Sequence, residues 1–339
     1  MQSKVASGEL QLRQDSVFHN TSPGRYQFLT RQNSAEGYCG EGVRLSRKKH
    51  HEDALWWFDQ ALLLDPGNVK ALTGRGFALG KLGRYAEEIQ CCEKVLELDP
   101  GSVEAWLLKG FALGKMDRFE EKIICCDKAL EIDPDSAEAW NMKGQAAGML
   151  DSWQDEVEYC TRATELRPRY IGAWDNRGYA LMQLKRYHEA ISSFNHALRI
   201  YPEYCSTLTN KGVCLCLIGE YGKAVTCLDR ADTVCTANPR NMYWKGLALS
   251  RMGKYTEALN CLEKVLSHDP KNADAWVVAS NCHFMLGNLE DSGHAFMVAY
   301  DIDKRDIRDI VSKGISLMRS GKKREGLECM SGVFGILLR

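Results

Sequence analysis

Proline recurs in this chain with a period of 34 residues: Pro66, Pro100, Pro134, Pro168 and Pro202 are evenly spaced, and Pro270 falls two periods past Pro202. Proline lacks an amide donor and its ring clashes with the preceding turn, so each one stops a helix. Stops at a fixed interval leave room only for short elements repeated in tandem. Glycine keeps the same phase at Gly42, Gly76, Gly110, Gly144, Gly178, Gly212, Gly246 and Gly314, with Ser280 in the remaining place. The phase survives where proline slips, at Thr236 with Pro239 just after it. Aromatic residues follow it at Trp106, Trp140, Trp174 and Trp276, and at Tyr85, Phe119, Trp153, Tyr187, Tyr221 and Tyr255. Self-similarity at this period predicts a stacked array rather than one globular core. Nine repeats start near Ala35, Val69, Val103, Ala137, Ile171, Cys205, Pro239, Ala273 and Ile307.

Each repeat reads as two helices. In the second, Leu72, Gly76 and Leu79 recur at helical spacing and Leu82-Gly83 closes the helix. A second helix carries Tyr85, Ile89, Cys92, Val95 and Leu96 and ends before Asp99-Pro100. Glycine at position 8 of the repeat lets the paired backbones approach closely. One such pair cannot bury its own apolar stripe, and stacking neighbours does so. The expected fold is all-α, a right-handed α-α solenoid of helix-turn-helix repeats over residues 35–339, with 1–34 as a flexible tail or short capping helix near Glu9–Phe18.

Composition narrows the function. The 44 basic and 45 acidic side chains give a net charge of −1, against the basic excess of a nucleic-acid binder. No apolar run reaches the 18 or so residues of a membrane span, and the N-terminus does not read as a secretory signal. Fourteen cysteines occur without any C-x-x-C spacing, so zinc and thioredoxin-like signatures are missing. They are expected to be reduced thiols acting as small buried hydrophobes, which places the protein in the cytoplasm. No cofactor or metal is expected, and no phosphate loop or nucleophile elbow points to an enzyme.

The stretch with Trp174, Gly178, Ala180-Leu181, Tyr187, Glu189-Ala190-Ile191, Ala197-Leu198 and Pro202 resembles the tetratricopeptide repeat. The resemblance runs from about residue 35 to the end. It implies a superhelix whose first helices line a concave groove for a peptide or a partner's helix, with positions 2, 5, 9, 12 and 13 of each repeat facing inward. Helical geometry agrees, since these positions span about 100° of arc. Candidate contacts are Phe77, Phe111, Gln145 and Tyr179 at position 9, Lys81, Lys115, Gln183 and Arg251 at position 13, and Asn141 and Tyr243 at position 5. Family members that clamp the acidic tail of heat-shock chaperones carry lysine at position 5. Here that position reads Cys39, Thr73, Leu107, Asn141, Asp175, Thr209 and Tyr243 in the first seven repeats, so a clamp is not expected.

Repeats two to four depart from the family together. Position 20, usually alanine, is Glu88, Lys122 and Glu156; position 12 is Gly80, Gly114 and Gly148; position 24 is Cys92, Cys126 and Cys160. The expectation is that the long stems pack while their charged heads reach water, the alternative being a half-buried polar seam in which the three charges pair with one another. A shared metal is not expected, because equivalent places on packed helices lie about 8–10 Å apart. Position 7 carries Arg75, Lys109, Lys143, Arg177, Lys211, Lys245 and Lys313, and acids recur at position 25, which reads as a solvated salt-bridge face. The last repeat ends on Met330, Val333, Phe334 and Leu337, an apolar edge expected to be covered by self-association, a partner or the tail. The expected function is a non-catalytic interaction scaffold for a protein or peptide partner, with self-assembly through that edge as the alternative.

Overall fold

The computed structural model describes residues 34–235 and 238–302, and further on residues 314, 316, 319–322, 325 and 326. The tail, most of the ninth repeat and Met330, Val333, Phe334 and Leu337 lie outside the described residues. Sixteen helices run through them, with no strand among the described residues. The first helices are α1 (Ala35–Arg47), α3 (Val69–Lys81), α5 (Val103–Lys115), α7 (Ala137–Met149), α9 (Ile171–Gln183), α11 (Cys205–Leu217), α13 (Pro239–Arg251) and α15 (Ala273–Met285). Their partners are α2 (His51–Leu64), α4 (Tyr85–Leu98), α6 (Phe119–Ile132), α8 (Trp153–Leu166), α10 (Tyr187–Ile200), α12 (Tyr221–Val234), α14 (Tyr255–His268) and α16 (Leu289–Ile302). The fold is an all-α helical-repeat solenoid.

The loop between repeats is written in four residues. In Asp65-Pro66-Gly67-Asn68 the Asp65 side chain accepts from the Gly67 amide, and Asn68 caps the next helix by accepting from Ala71. Asp99 and Ser102 repeat the pair of contacts on Gly101 and Ala105. These caps satisfy amides that a helix start leaves without partners. Proline's carbonyl is used as well: the indole Nε1 atoms of Trp106, Trp140, Trp174 and Trp276 donate to the carbonyls of Pro100, Pro134, Pro168 and Pro270. The shared phase of tryptophan and proline is therefore one hydrogen bond made four times.

The chain forms two compact units, Met1–Asp117 and Arg118–Arg339. Within each, consecutive helices pack side by side, and the first helices of neighbouring repeats also touch one another. The second helices of neighbouring repeats do not, among the described residues. In each unit the first helices thus crowd together on the inside of a curve and form its inner wall.

Inside the first, fourth, fifth, sixth and seventh pairs, position 8 lies against position 24. A methyl group on Gly178 would overlap the Phe194 ring, one on Gly42 the Phe58 ring, and one on Gly212 the Leu228 side chain. Phe58, Phe194, Leu228 and Leu262 are fully buried. The position 7 ladder is present: Arg75 pairs with Asp59 at 2.7 Å, Lys109 with Glu93 at 2.8 Å and Lys143 with Asp127 at 2.6 Å. Arg177 turns instead to the hydroxyls of Thr161 and Ser193.

The thiols need one correction. Ten of the described cysteines are free and buried, and Cys261 is free and half-buried. Cys205 and Cys235, however, form a disulfide with their Cα atoms 6.3 Å apart. One starts α11 and the other follows α12, so the turns of the fold bring their ends together.

Close approach at position 8 separates two glycines that look alike in sequence. The Cβ of Gly178→Ala would overlap Phe194, whereas that of Gly76→Ala would meet Cys91 at an ordinary 3.4 Å. Overpacking costs about 1–3 kcal/mol, and replacing a helical glycine with alanine gains up to about 1 kcal/mol. Thermal melts followed by circular dichroism should show a lower midpoint for Gly178→Ala and an equal or higher one for Gly76→Ala. The reverse order would remove position 8 as the spacing device.

Candidate functional site: the inner walls

On the inner wall of the first compact unit, the hexapeptide Gly-Phe-Ala-Leu-Gly-Lys occurs twice, at 76–81 in α3 and at 110–115 in α5. Ala78 and Leu79, like Ala112 and Leu113, turn into the core and are fully buried. Helical spacing then points the phenylalanines the other way, and Phe77 and Phe111 remain 39% and 40% exposed. Each has a lysine one turn later in the helix, a spacing that brings side chains together. The Lys81 Nζ lies 5.0 Å from the Phe77 ring centroid, and the Lys115 Nζ lies 5.5 Å from that of Phe111. His51, at the start of α2, meets the edge of the Phe77 ring. Burial and then the charge of Lys81 hold its pKa below the usual histidine value, with His50 and Lys49 adding to the effect.

In the second unit the inner wall is built differently. Asn141 is buried; its amide donates to the Tyr170 hydroxyl at 3.3 Å and its carbonyl accepts from Asn176 at 2.9 Å. Asp175 accepts from Thr207 at 2.6 Å and from Ser206 at 3.1 Å, and Thr209 donates to Asn241 at 2.7 Å. Burial raises the Asp175 carboxyl above its ordinary range, against the pull of those hydroxyls. Position 5 thus ties one first helix to the next. Asn141, expected in contact with a ligand, is withdrawn from the surface by these bonds. The sequence carried a signal for them, since Asn, Asp and Thr at position 5 each have a small polar residue about one period later. Of the other candidates, Gln145 is exposed and accepts from Lys122 at 3.5 Å. Tyr179 is half-buried against the edge of Trp153, and Tyr243 is half-buried against Trp244. Gln183 and Arg251 are exposed.

The acids at position 20 overturn an expectation. Glu88, Lys122 and Glu156 are only 1%, 8% and 4% exposed; the carboxyls turn inward, while the Lys122 head reaches the exposed Gln145. The glycines at position 12 explain where the acids go: a methyl group at Gly80 would overlap the Glu88 carboxyl, and one at Gly148 that of Glu156. In both acids Oε2 is buried without a hydrogen-bond partner. Burial pushes the Glu156 carboxyl from 4.5 to about 8. It pushes that of Glu88 to about 7, although Lys81 pulls it down. No group of three or more potential metal ligands exists among the described residues, and no described helix is long and apolar enough to cross a membrane.

Models of the tetratricopeptide repeat match residues 69–102, 103–136, 125–158 and 171–204. The chain is a tetratricopeptide-repeat protein. A model of anaphase-promoting complex, cyclosome, subunit 3 matches residues 218–297 of this tetratricopeptide-repeat chain. A protein prenyltransferase alpha subunit repeat matches residues 153–184, which is one helix pair, α8 and α9. No curated protein matches the chain. Among solved structures, it resembles the APC/C hetero-tetramer Cut9-Hcn1 with 15% identity and a TM-score of 0.56, over 94% of this chain and 60% of that one. A tetratricopeptide repeat protein of Parabacteroides merdae shares 13% identity and a TM-score of 0.54, over 74% of this chain and 99% of its own. PilF of Pseudomonas aeruginosa shares 19% and 0.55, over 60% of this chain and 92% of its own. At these identities the likeness is one of fold.

The buried acids make stability depend on pH in a definite sense. In the unfolded chain both carboxyls ionise near 4.5, whereas folded they hold their protons to about 7 and about 8. Between those values the folded state binds more protons than the unfolded one, so stability falls as pH rises. The contribution is complete below about pH 4.5 and fully lost above about pH 8. The double variant Glu88→Gln with Glu156→Gln should flatten this decline and melt at least about 4 °C above the parent chain once pH exceeds 8. Parallel melting curves across the whole range would show that the carboxyls titrate as exposed ones do.

Proposed function

We propose that this chain is a non-catalytic interaction scaffold that takes a peptide or a partner's helix along the inner walls of its first helices. One observation carries the reading: Phe77 and Phe111 stay about two-fifths exposed on the inner wall, although the residues that follow them in the chain are fully buried in the core. Large rings left in water on a rigid face favour a partner that covers them, and aromatic anchors commonly dominate interface energetics. Tetratricopeptide-repeat proteins bind protein partners, and the surface here is preformed. Binding to such a surface orders little that is not already ordered, so each repeat adds contacts at low entropic cost.

The test is affinity capture by the full chain and by the double variant Phe77→Ala with Phe111→Ala. Leu63→Ala, which trims an exposed side chain on a second helix, serves as control. A genuine partner should bind the double variant at least about tenfold more weakly, as expected when central aromatic anchors are cut away. It should bind the Leu63 variant unchanged. Retention of every captured protein by the double variant would place the binding surface elsewhere.

A further inference from the structure

Position 13 ends the first helix of each repeat, and in three successive repeats of the first compact unit it holds Arg47, Lys81 and Lys115. All three are exposed. Arg75 and Lys109 in the same unit are each paired with an acid of the preceding second helix. Arg47, Lys81 and Lys115 have no ion pair or hydrogen bond among the described residues. What two of them touch is aromatic: the exposed rings of Phe77 and Phe111. Glu88, on which the charge of Lys81 acts, is buried beneath Gly80 rather than presented on the wall, and the exposed Asp117 stands two residues past Lys115, beyond the end of α5. The exposed acids Glu36 and Glu104 stand at position 2, at the opposite ends of their helices, roughly 16 Å along the axis. Among the described residues the edge is therefore a row of three cations without ion pairs, and in the second and third repeats an exposed ring stands beside the cation.

Resting on the reading above, we infer that this edge binds an extended peptide segment in which an acidic and an apolar residue each recur every three residues. Its carboxylates face Arg47, Lys81 and Lys115, and its apolar side chains lie on Phe77 and Phe111. The spacing suits such a segment. Packed helices stand about 8–10 Å apart, and a peptide in the extended polyproline-II form advances about 3.1 Å per residue with three residues per turn, which returns every third side chain to the same face. One acid in every three residues therefore meets one cation per repeat. Charge complementarity supplies the specificity, and the rings supply the apolar contact that holds the segment at higher salt.

Fluorescence anisotropy of the full chain with labelled peptides of repeated Glu-Leu-Ser triplets tests this, alongside versions with Gln or Lys in place of Glu. The acidic peptide should bind roughly tenfold or more tightly than the Gln version. Raising salt from about 0.1 M to about 1 M, which shortens the Debye length from ~10 to ~3 Å, should erase that preference. Lys81→Gln with Lys115→Gln should erase it too at low salt, while the variant keeps the helical circular-dichroism signal and a cooperative melt. Equal affinity for the acidic and Gln peptides, weakened by Phe77→Ala with Phe111→Ala, would overturn the charge assignment and leave the inner-wall reading standing. Preference for the Lys peptide would overturn the charge assignment outright. Failure of all three peptides to bind would overturn this inference, while a captured partner lost by Phe77→Ala with Phe111→Ala would still uphold the inner-wall reading.

Discussion

Where glycine at position 8 meets the side chain at position 24, that contact sets the distance between the two helices of the repeat, and the inner wall inherits its geometry from it. Where position 24 is Phe58 or Phe194, the ring fills the space in which a methyl group on Gly42 or Gly178 would sit. In repeats two to four position 24 is a cysteine, a smaller group, and these are the repeats with a charged residue at position 20 and glycine at position 12. The Glu88 and Glu156 stems run into the space those glycines vacate. The three substitutions form one packing solution, and its product is a buried carboxyl that stays protonated up to about 7 or 8.

The elements of the fold were legible because each was written by a local rule. Proline and its Asp and Ser or Asn neighbours mark the loops, and the tryptophan phase follows from a bond to the proline carbonyl. What escaped depended on space that sequence does not display. Long acidic stems usually carry their heads to water, and Glu88 and Glu156 do not because an absent Cβ on a neighbouring helix gives them room. Cys205 and Cys235 are 30 residues apart and meet only because a whole helix pair folds between them. Position 5 was read as a ligand position by family habit. In Asn141 and Asp175 the hydrogen bonds to the next repeat take precedence.

The two units therefore present walls of different character. In the second, polar groups are spent on one another, through Asn141 with Asn176, Asp175 with Thr207 and Thr209 with Asn241. Buried polar groups satisfied in this way fix one helix against the next and offer little to a ligand. In the first, position 5 is Cys39, Thr73 and Leu107, and the exposed chemistry sits at positions 9 and 13. Candidate contacts that looked equivalent by position thus differ in what they have left to give.

That difference bears on why aromatic side chains persist in water on the first unit's wall. An exposed phenylalanine forgoes the gain of burial, roughly 1.5–3 kcal/mol for a full side chain, and its neighbours offer no pocket because Ala78, Leu79, Ala112 and Leu113 are already packed. The lysine one turn along covers one face of the ring at 5.0 or 5.5 Å, a contact worth about 0.5–1 kcal/mol at an exposed site. That recovers part of the loss and keeps the ring standing off the wall. An arriving chain does not have to break the pair: it covers the remaining ring surface while its carboxylate meets the ammonium from the solvent side. Cation and ring act as one preformed element, repeated at the spacing of the helices that carry it.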